Sequence, residues 1–244
     1  MKMLLTLLTG TLLLATSALA AKDSVVTIYG PQSGQQIRVE NVQTLAQLVT
    51  SPEVSANAWW PGAIITTTAA SQKAKAQQQH ILQQLNTWQQ QAKGPLAATL
   101  RSVKAQLASF TVVGRLSVNL DPDVVRTQPH ANVRLQGEYQ LYLTPRPDTV
   151  TLLGAIDSPG KQRWLPATSV RDYFKGQLFL AGADTSHVTV ISPSGEQNVA
   201  PIALWNDLHR EAEPGSVIWV GFAEGERGLN EQIIRLLAQR EAKP

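Results

Sequence analysis

Short runs of β-branched and apolar residues alternate along this chain with stretches of helical spacing. Val25-Val26-Thr27-Ile28-Tyr29 and Gln36-Ile37-Arg38-Val39 read as two strands joined by turn chemistry around Gly34. Thr44 is placed to cap a short helix through Leu45, Leu48 and Val49, which fall on one face. Trp59-Trp60-Pro61-Gly62-Ala63-Ile64-Ile65 reads as a turn into a strand. Residues 69–93 then change register: Ile81, Leu82, Leu85 and Trp88 recur at helical spacing among Ala, Gln and Lys. Gly94-Pro95 breaks the pattern, and Leu96, Leu100, Val103 and Leu107 begin a second stripe. The two make an antiparallel helical hairpin between β-rich stretches.

Strand-like alternation returns over residues 112–120 and 133–143, followed by the stiff connector Thr144-Pro145-Arg146-Pro147. Residues 149–222 then repeat the opening plan. Val150-Thr151-Leu152-Leu153-Gly154 parallels Val26-Thr27-Ile28-Tyr29-Gly30, and Pro159-Gly160 turns into a return strand over 162–165. Thr168 precedes a short helix with Val170, Tyr173 and Phe174. The strand 188–191 turns through Ser192-Pro193-Ser194-Gly195 into 197–203, and Val217-Ile218-Trp219-Val220 is the last strand. Hairpin, short helix and further strands, twice over, describe two β-grasp units, each a mixed sheet covered by one helix. Leu229, Ile233, Ile234, Leu236 and Leu237 share one side of a final amphipathic helix, expected over residues 228–241. About fourteen residues reach only about 21 Å, short of a bilayer's hydrocarbon core of about 30 Å, so this helix is expected to pack back on its own protein.

The first twenty residues stand apart. Lys2, an apolar run to Leu14 and Ala18-Leu19-Ala20 have the form of a secretory signal peptide cleaved after Ala20, with no later segment able to span a membrane. The expected location is the periplasm. The absence of cysteine excludes disulfides, thiol catalysis and Cys-ligated metals. A formal net charge of +3, from 21 basic and 18 acidic residues, gives no footprint for nucleic acid. His80, His130, His187 and His209 fall in no metal-binding spacing, and no Gly-x-Ser-x-Gly elbow occurs. Gly225-Glu226-Arg227-Gly228 lacks the Gly-Lys-Ser/Thr ending of a phosphate loop. No cofactor or metal is expected.

Three features carry candidate chemistry. Trp59 and Trp60 offer flat apolar faces and indole donors that suit sugars; as neighbours they either both pack in the core, which is favoured, or divide, one entering the core while the other is exposed. By alternation over 112–120, Leu116, Val118 and Leu120 share one face, and Arg115, Ser117 and Asn119 the other. That polar face is either a solvated surface with a salt bridge or a groove in which the guanidinium holds an acidic sugar. In both cases removing Arg115 is expected to cost little stability. Asp121-Pro122-Asp123 places two carboxylates together, readable as a turn lock, a weak cation site or a glycosidase-like pair, with the turn favoured.

The second repeat resembles the soluble-ligand-binding β-grasp (SLBB) domains of Wza-like polysaccharide export proteins, through residues 149–154, Pro159-Gly160, Ala181-Gly182-Ala183 and 214–220. With Trp59-Trp60-Pro61-Gly62-Ala63, the helical insert, the run from Gly114-Arg115-Leu116 to Asp121-Pro122-Asp123, and Ala200-Pro201-Ile202-Ala203-Leu204-Trp205-Asn206, the mature chain is similar to the capsule biosynthesis GfcC family. The resemblance implies an α+β fold: a first β-grasp domain (21–68 and 111–148), an inserted hairpin (69–110), a second SLBB-like domain (149–223) and a C-terminal amphipathic helix (224–244). It implies a non-enzymatic periplasmic role in capsule or exopolysaccharide assembly or export, with polysaccharide or outer-membrane export proteins as partners of a monomer. Arg115 stands above the other arginines on this resemblance. Trp59, Trp60, Ser117, Asp121 and Asp123 complete the candidate ligand site. The rival readings are a polysaccharide-modifying enzyme and a purely structural module of the export complex.

Overall fold

The computed structural model describes residues 24–30, 36–54, 58–206, 208–224 and 228–241. The expected signal peptide, the turn expected around Gly34 and the strand exit expected at 225–227 lie outside the described residues. β1 (Val25–Tyr29) and β2 (Gln36–Glu40) pair antiparallel in register Val25↔Glu40 to Tyr29↔Gln36. α1 (Leu45–Val49) follows; Thr44 accepts from the Gln47 amide, and the Gln47 side chain accepts from the Thr44 amide, closing a capping box. A 3₁₀ turn, Trp60–Gly62, leads into β3 (Ile64–Thr66). α2 (Thr68–Gln91) and α3 (Pro95–Ala108) form the hairpin, with Pro95 at the first position of α3, where its missing N–H costs nothing. α4 (Pro122–Thr127) and β4 (Glu138–Tyr142) complete the first unit, whose sheet runs β2-β1-β4-β3 with β1 and β4 parallel.

The second unit repeats this arrangement. β5 (Thr149–Gly154) pairs antiparallel with β6 (Gly160–Arg163) and parallel with β9 (Val217–Val220). β7 (His187–Ile191) lies between β9 and β8 (Gln197–Pro201), giving the order β6-β5-β9-β7-β8. Equivalent strands occupy equivalent places, so the repeat read from element order is present in the topology. The fold is α+β, with two β-grasp-like sheets.

The cores divide in a way that sequence order does not suggest. Val26, Ile28, Leu45, Leu48 and Leu141 fill the first. The hairpin, which interrupts the first unit in sequence, buries Ile81, Leu85, Leu100, Val103 and Leu107 in the second, with Val150, Leu152, Ile218 and Trp219. α5 (Leu229–Leu237) joins that core through Leu229, Ile233, Leu236 and Leu237, against α2 and β7. The helix packs back on its own protein, as its length requires.

Several expected elements are corrected. Residues 112–120 form no strand: Gly114, at φ +72°, lies so close to α2 that a Cβ there would stand 2.3 Å from the Ala70 carbonyl oxygen, and the chain bends. Its partners change along its length, from an isolated bridge with Arg240 at Val112 to a bond from the Leu116 amide to the Ile65 carbonyl. The strand expected over 133–143 begins at Glu138, after Gly137 at φ +90°. Upstream, the Leu135 amide bonds to the Gln43 carbonyl instead. The return strand expected over 162–165 is shifted to Gly160–Arg163, and beyond it the Leu165 amide leaves the ladder for the Tyr173 hydroxyl (3.2 Å). The helix after Thr168 is a 3₁₀ turn, Val170–Phe174, behind Ser169 and without a side-chain cap, because the Asp172 amide bonds to the Ser169 carbonyl (2.8 Å). The final helix stops at Leu237, where bonds from Gln239 to Leu236 and from Arg240 to Leu237 tighten the last turn and steer Glu241 onto Thr111.

Candidate functional site

Although the ladder is absent, the side-chain alternation over 115–120 persists. Leu116, Val118 and Leu120 face the first core, Ser117 and Asn119 are exposed, and Arg115 is half-buried. The segment is anchored at its start by Thr66, a fully buried residue whose hydroxyl lies within 2.7 Å of the Val113 and Gly114 carbonyl oxygens, and by the Ser71 hydroxyl, which donates to Val113 at 2.6 Å.

Arg115 is not part of a surface salt bridge. Its Nε donates to the Ala238 carbonyl (3.3 Å), one terminal nitrogen to Ala63 (3.2 Å) and the other to Pro193 (2.6 Å). One guanidinium thus ties together the residue before β3, the β7–β8 turn and the residue after α5. Arg240, only 4% exposed, donates to the carbonyls of Leu237, Ile191, Ser192 and Gly215. All these acceptors are neutral, so neither charge is cancelled by them. Burial pushes Arg115 down to about 10, and burial together with the charge of Arg115 pushes Arg240 down to about 9. Both remain cations at neutral pH, and together they hold positive potential beneath the turn at Ser192–Glu196.

A groove of about 800 Å³ opens over Arg115, lined by Lys73, Arg115, Ser117, Asn119, Glu196 and Arg235 among others. Three cations against one carboxylate make it basic. A smaller hollow of about 380 Å³ adjoins it across Arg115, Asn119 and Ser194, and is bounded by Trp60, Asp121 and Glu213. Arg115, Ser117, Trp60 and Asp121 are therefore brought to one continuous surface.

The other two candidates have different surroundings. Trp59 and Trp60 flank the start of a 3₁₀ turn rather than lying on a strand, and both are half-buried, so neither full core packing of both nor a split between core and solvent occurs. Trp59 spans the two units: its six-membered ring lies against Gly62 at one edge and Gly215 at the other, where Cβ atoms would stand 2.5 and 3.4 Å away. Asp121 caps α4, accepting from the Asp123 amide at 2.9 Å, which is the turn-lock geometry. Asp123 lies in the first turn of α4, outside both hollows. No group of three or more metal-ligating side chains occurs among the described residues.

Sequence reasoning missed Arg240. Its signal was present, because Ile233, Leu236, Leu237 and Arg240 recur at spacings of three and four and so share the buried side of the helix end. Lys73 and Arg235 join the groove only through tertiary packing.

Comparison with known proteins places this geometry. Residues 22–146 match the model of the family described as capsule biosynthesis GfcC, N-terminal, and residues 158–242 the one described as capsule biosynthesis GfcC C-terminal. The chain belongs to the GfcC capsule-biosynthesis family. The first GfcC match ends in the connector at residue 146 and the second begins at residue 158, just past β5. An uncharacterised protein of Escherichia coli (strain K12), YjbG, is 38% identical over 231 residues, covering 93% of each chain. GfcC membership supports a role in capsule assembly, and the family descriptions name biosynthesis of capsule without naming a catalysed reaction.

Proposed function

We propose that this GfcC-family chain is exported to the periplasm and acts without catalysis, holding an acidic stretch of capsule or exopolysaccharide in the groove over Arg115. The observation that carries this reading is the groove's charge and chemistry: Lys73, Arg115 and Arg235 supply cations, Ser117 and Asn119 supply hydroxyl and amide groups, and Trp60 offers an indole face beside them. Carboxylates of uronic sugars suit such cations, and sugar hydroxyls suit the neighbouring polar groups. Arg115 spends three of its five N–H groups on main-chain carbonyls, which fixes its plane and leaves two for a ligand. The family's link to capsule supplies the polymer.

Titration of the mature chain with trigalacturonate tests this. Binding that weakens at least tenfold in Lys73→Glu is the expected result. No binding, or equal binding by the variant, refutes the groove as the site. A second reading, contact with export-machinery proteins, is favoured by an exposed apolar group formed by Leu204 (82% exposed), Trp205 (77%) and Leu208. Cross-linking through position 205 in cells, with identification of what is captured, tests that reading separately.

A further inference from the structure

On the far side of the β7–β8 turn lies another groove, of about 450 Å³, within the range of small-ligand sites. Its floor is one face of the second sheet. The register pairs Val190 with Ile218 and with Asn198, so one step along, Ser192, Ser216 and Glu196 follow on that same face. Ser216 is fully buried and its hydroxyl has no hydrogen-bond partner, although it lines this groove. A buried hydroxyl without a partner is costly, and most such groups in proteins are satisfied. By contrast, the neighbouring Ser192 hydroxyl is engaged by Ser194 and by the Glu196 amide.

The rim is rich in acceptors. Glu196 accepts from the Asn198 side-chain Nδ2 at 3.1 Å, Glu211 meets His209 at 2.9 Å, and Glu213 lines the same groove. Three carboxylates against Arg210 give this groove the sign opposite to that of the Arg115 groove. It therefore repels uronates and phosphates. Carboxylates, an amide and a free hydroxyl are the set that hydrogen-bonds the hydroxyls of an uncharged sugar, whose C–H face finds Val190. The grooves share walls: Glu196 borders this one and the larger basic groove, and Glu213 borders this one and the smaller hollow.

We infer that the groove beneath residues 209–216 is a second saccharide site, taking an uncharged sugar unit, with the Ser216 hydroxyl as a buried partner for one sugar hydroxyl. The inference rests on the proposal that the chain handles glycan, and adds that charged and uncharged units of a polymer are received on opposite sides of one turn.

The test uses the mature chain and four uncharged probes, tetrasaccharides of α-1,4-glucan, β-1,4-glucan, β-1,4-mannan and β-1,4-galactan, followed by NMR at the amides of Glu211, Glu213 and Ser216. At least one probe is expected to shift these amides, with its affinity falling at least fivefold in Ser216→Ala and in Glu213→Gln. Ser216→Ala should meanwhile raise the Tm of the free protein, since it removes an unpartnered buried hydroxyl. A merely structural Ser216 would change the Tm and leave affinity unmoved, and that result overturns the inference. So does silence from all four probes, or shifts confined to the Arg115 groove. If trigalacturonate binds while the uncharged probes do not, this inference alone fails; the reverse outcome removes the Arg115 reading and leaves this one.

Discussion

Replacing Arg115 with Ala removes one guanidinium from three separate parts of the chain: the carbonyls of Ala63, Pro193 and Ala238. A hydrogen bond to a charged group contributes about 1.5–3 kcal/mol, so the gross loss is roughly 5–9 kcal/mol. Two effects oppose it. Water entering along the groove can reach the freed carbonyls, and a charge that burial disfavours is no longer held out of solvent. The net destabilisation should be about 3 kcal/mol, which for a chain of this size lowers Tm by roughly 6–12 °C. Arg115→Lys should recover only part of this, because one ammonium cannot donate along three diverging directions. Thermal melts of the mature chain and both variants, followed by circular dichroism and calorimetry, measure it. A fall in Tm under about 2 °C for the Ala variant would show that the three bonds are not holding the units together, and would restore the solvated-face reading of Arg115.

Other substitutions test other parts of the account. Gly154→Ala forces a Cβ to within 1.9 Å of the Val220 carbonyl oxygen at φ +108°, and should cost at least about 3 kcal/mol by parting β5 from β9, read as a lower denaturation midpoint. Ile233→Ala, at a fully buried position of α5, should cost about 2–5 kcal/mol in the same measurement; an unchanged midpoint would mean that the helix is not docked. Asp121→Ala should cost about 1 kcal/mol by uncapping α4. If it instead abolishes a glycan-cleaving activity, detected as released reducing ends, the turn-lock assignment is wrong.

Much of the fold was legible because local signals agreed with tertiary demands. Thr44 announced the cap of α1, Gly94-Pro95 the hairpin break, and the apolar side of α5 its docking. The strands misread over 112–120 and 133–143 share one cause. Alternation reports which side chains are buried, and over 115–120 it did so correctly, but it carries no information on whether a strand lies alongside to bond the backbone. Gly114 and Gly137, both at positive φ, were the local warnings against continuous strands. That the hairpin fills the second core, although it interrupts the first unit, has no counterpart in residue spacing. The candidate site was half legible. Arg115 and Ser117 came from a polar face, but the role of Arg115 as a tie depends on carbonyls 52, 78 and 123 residues away.

The central claim, that the basic groove receives an acidic polysaccharide, is tested most directly by calorimetric titration of the mature chain with surface polysaccharide purified from the bacterium that encodes it. Ser117→Glu and Trp205→Ala serve as paired variants, since both side chains are exposed and neither change should disturb the fold. The account predicts binding that weakens with added salt, falls at least tenfold in Ser117→Glu and is unchanged in Trp205→Ala. Binding that survives in Ser117→Glu, or no binding by the unaltered chain, would contradict it.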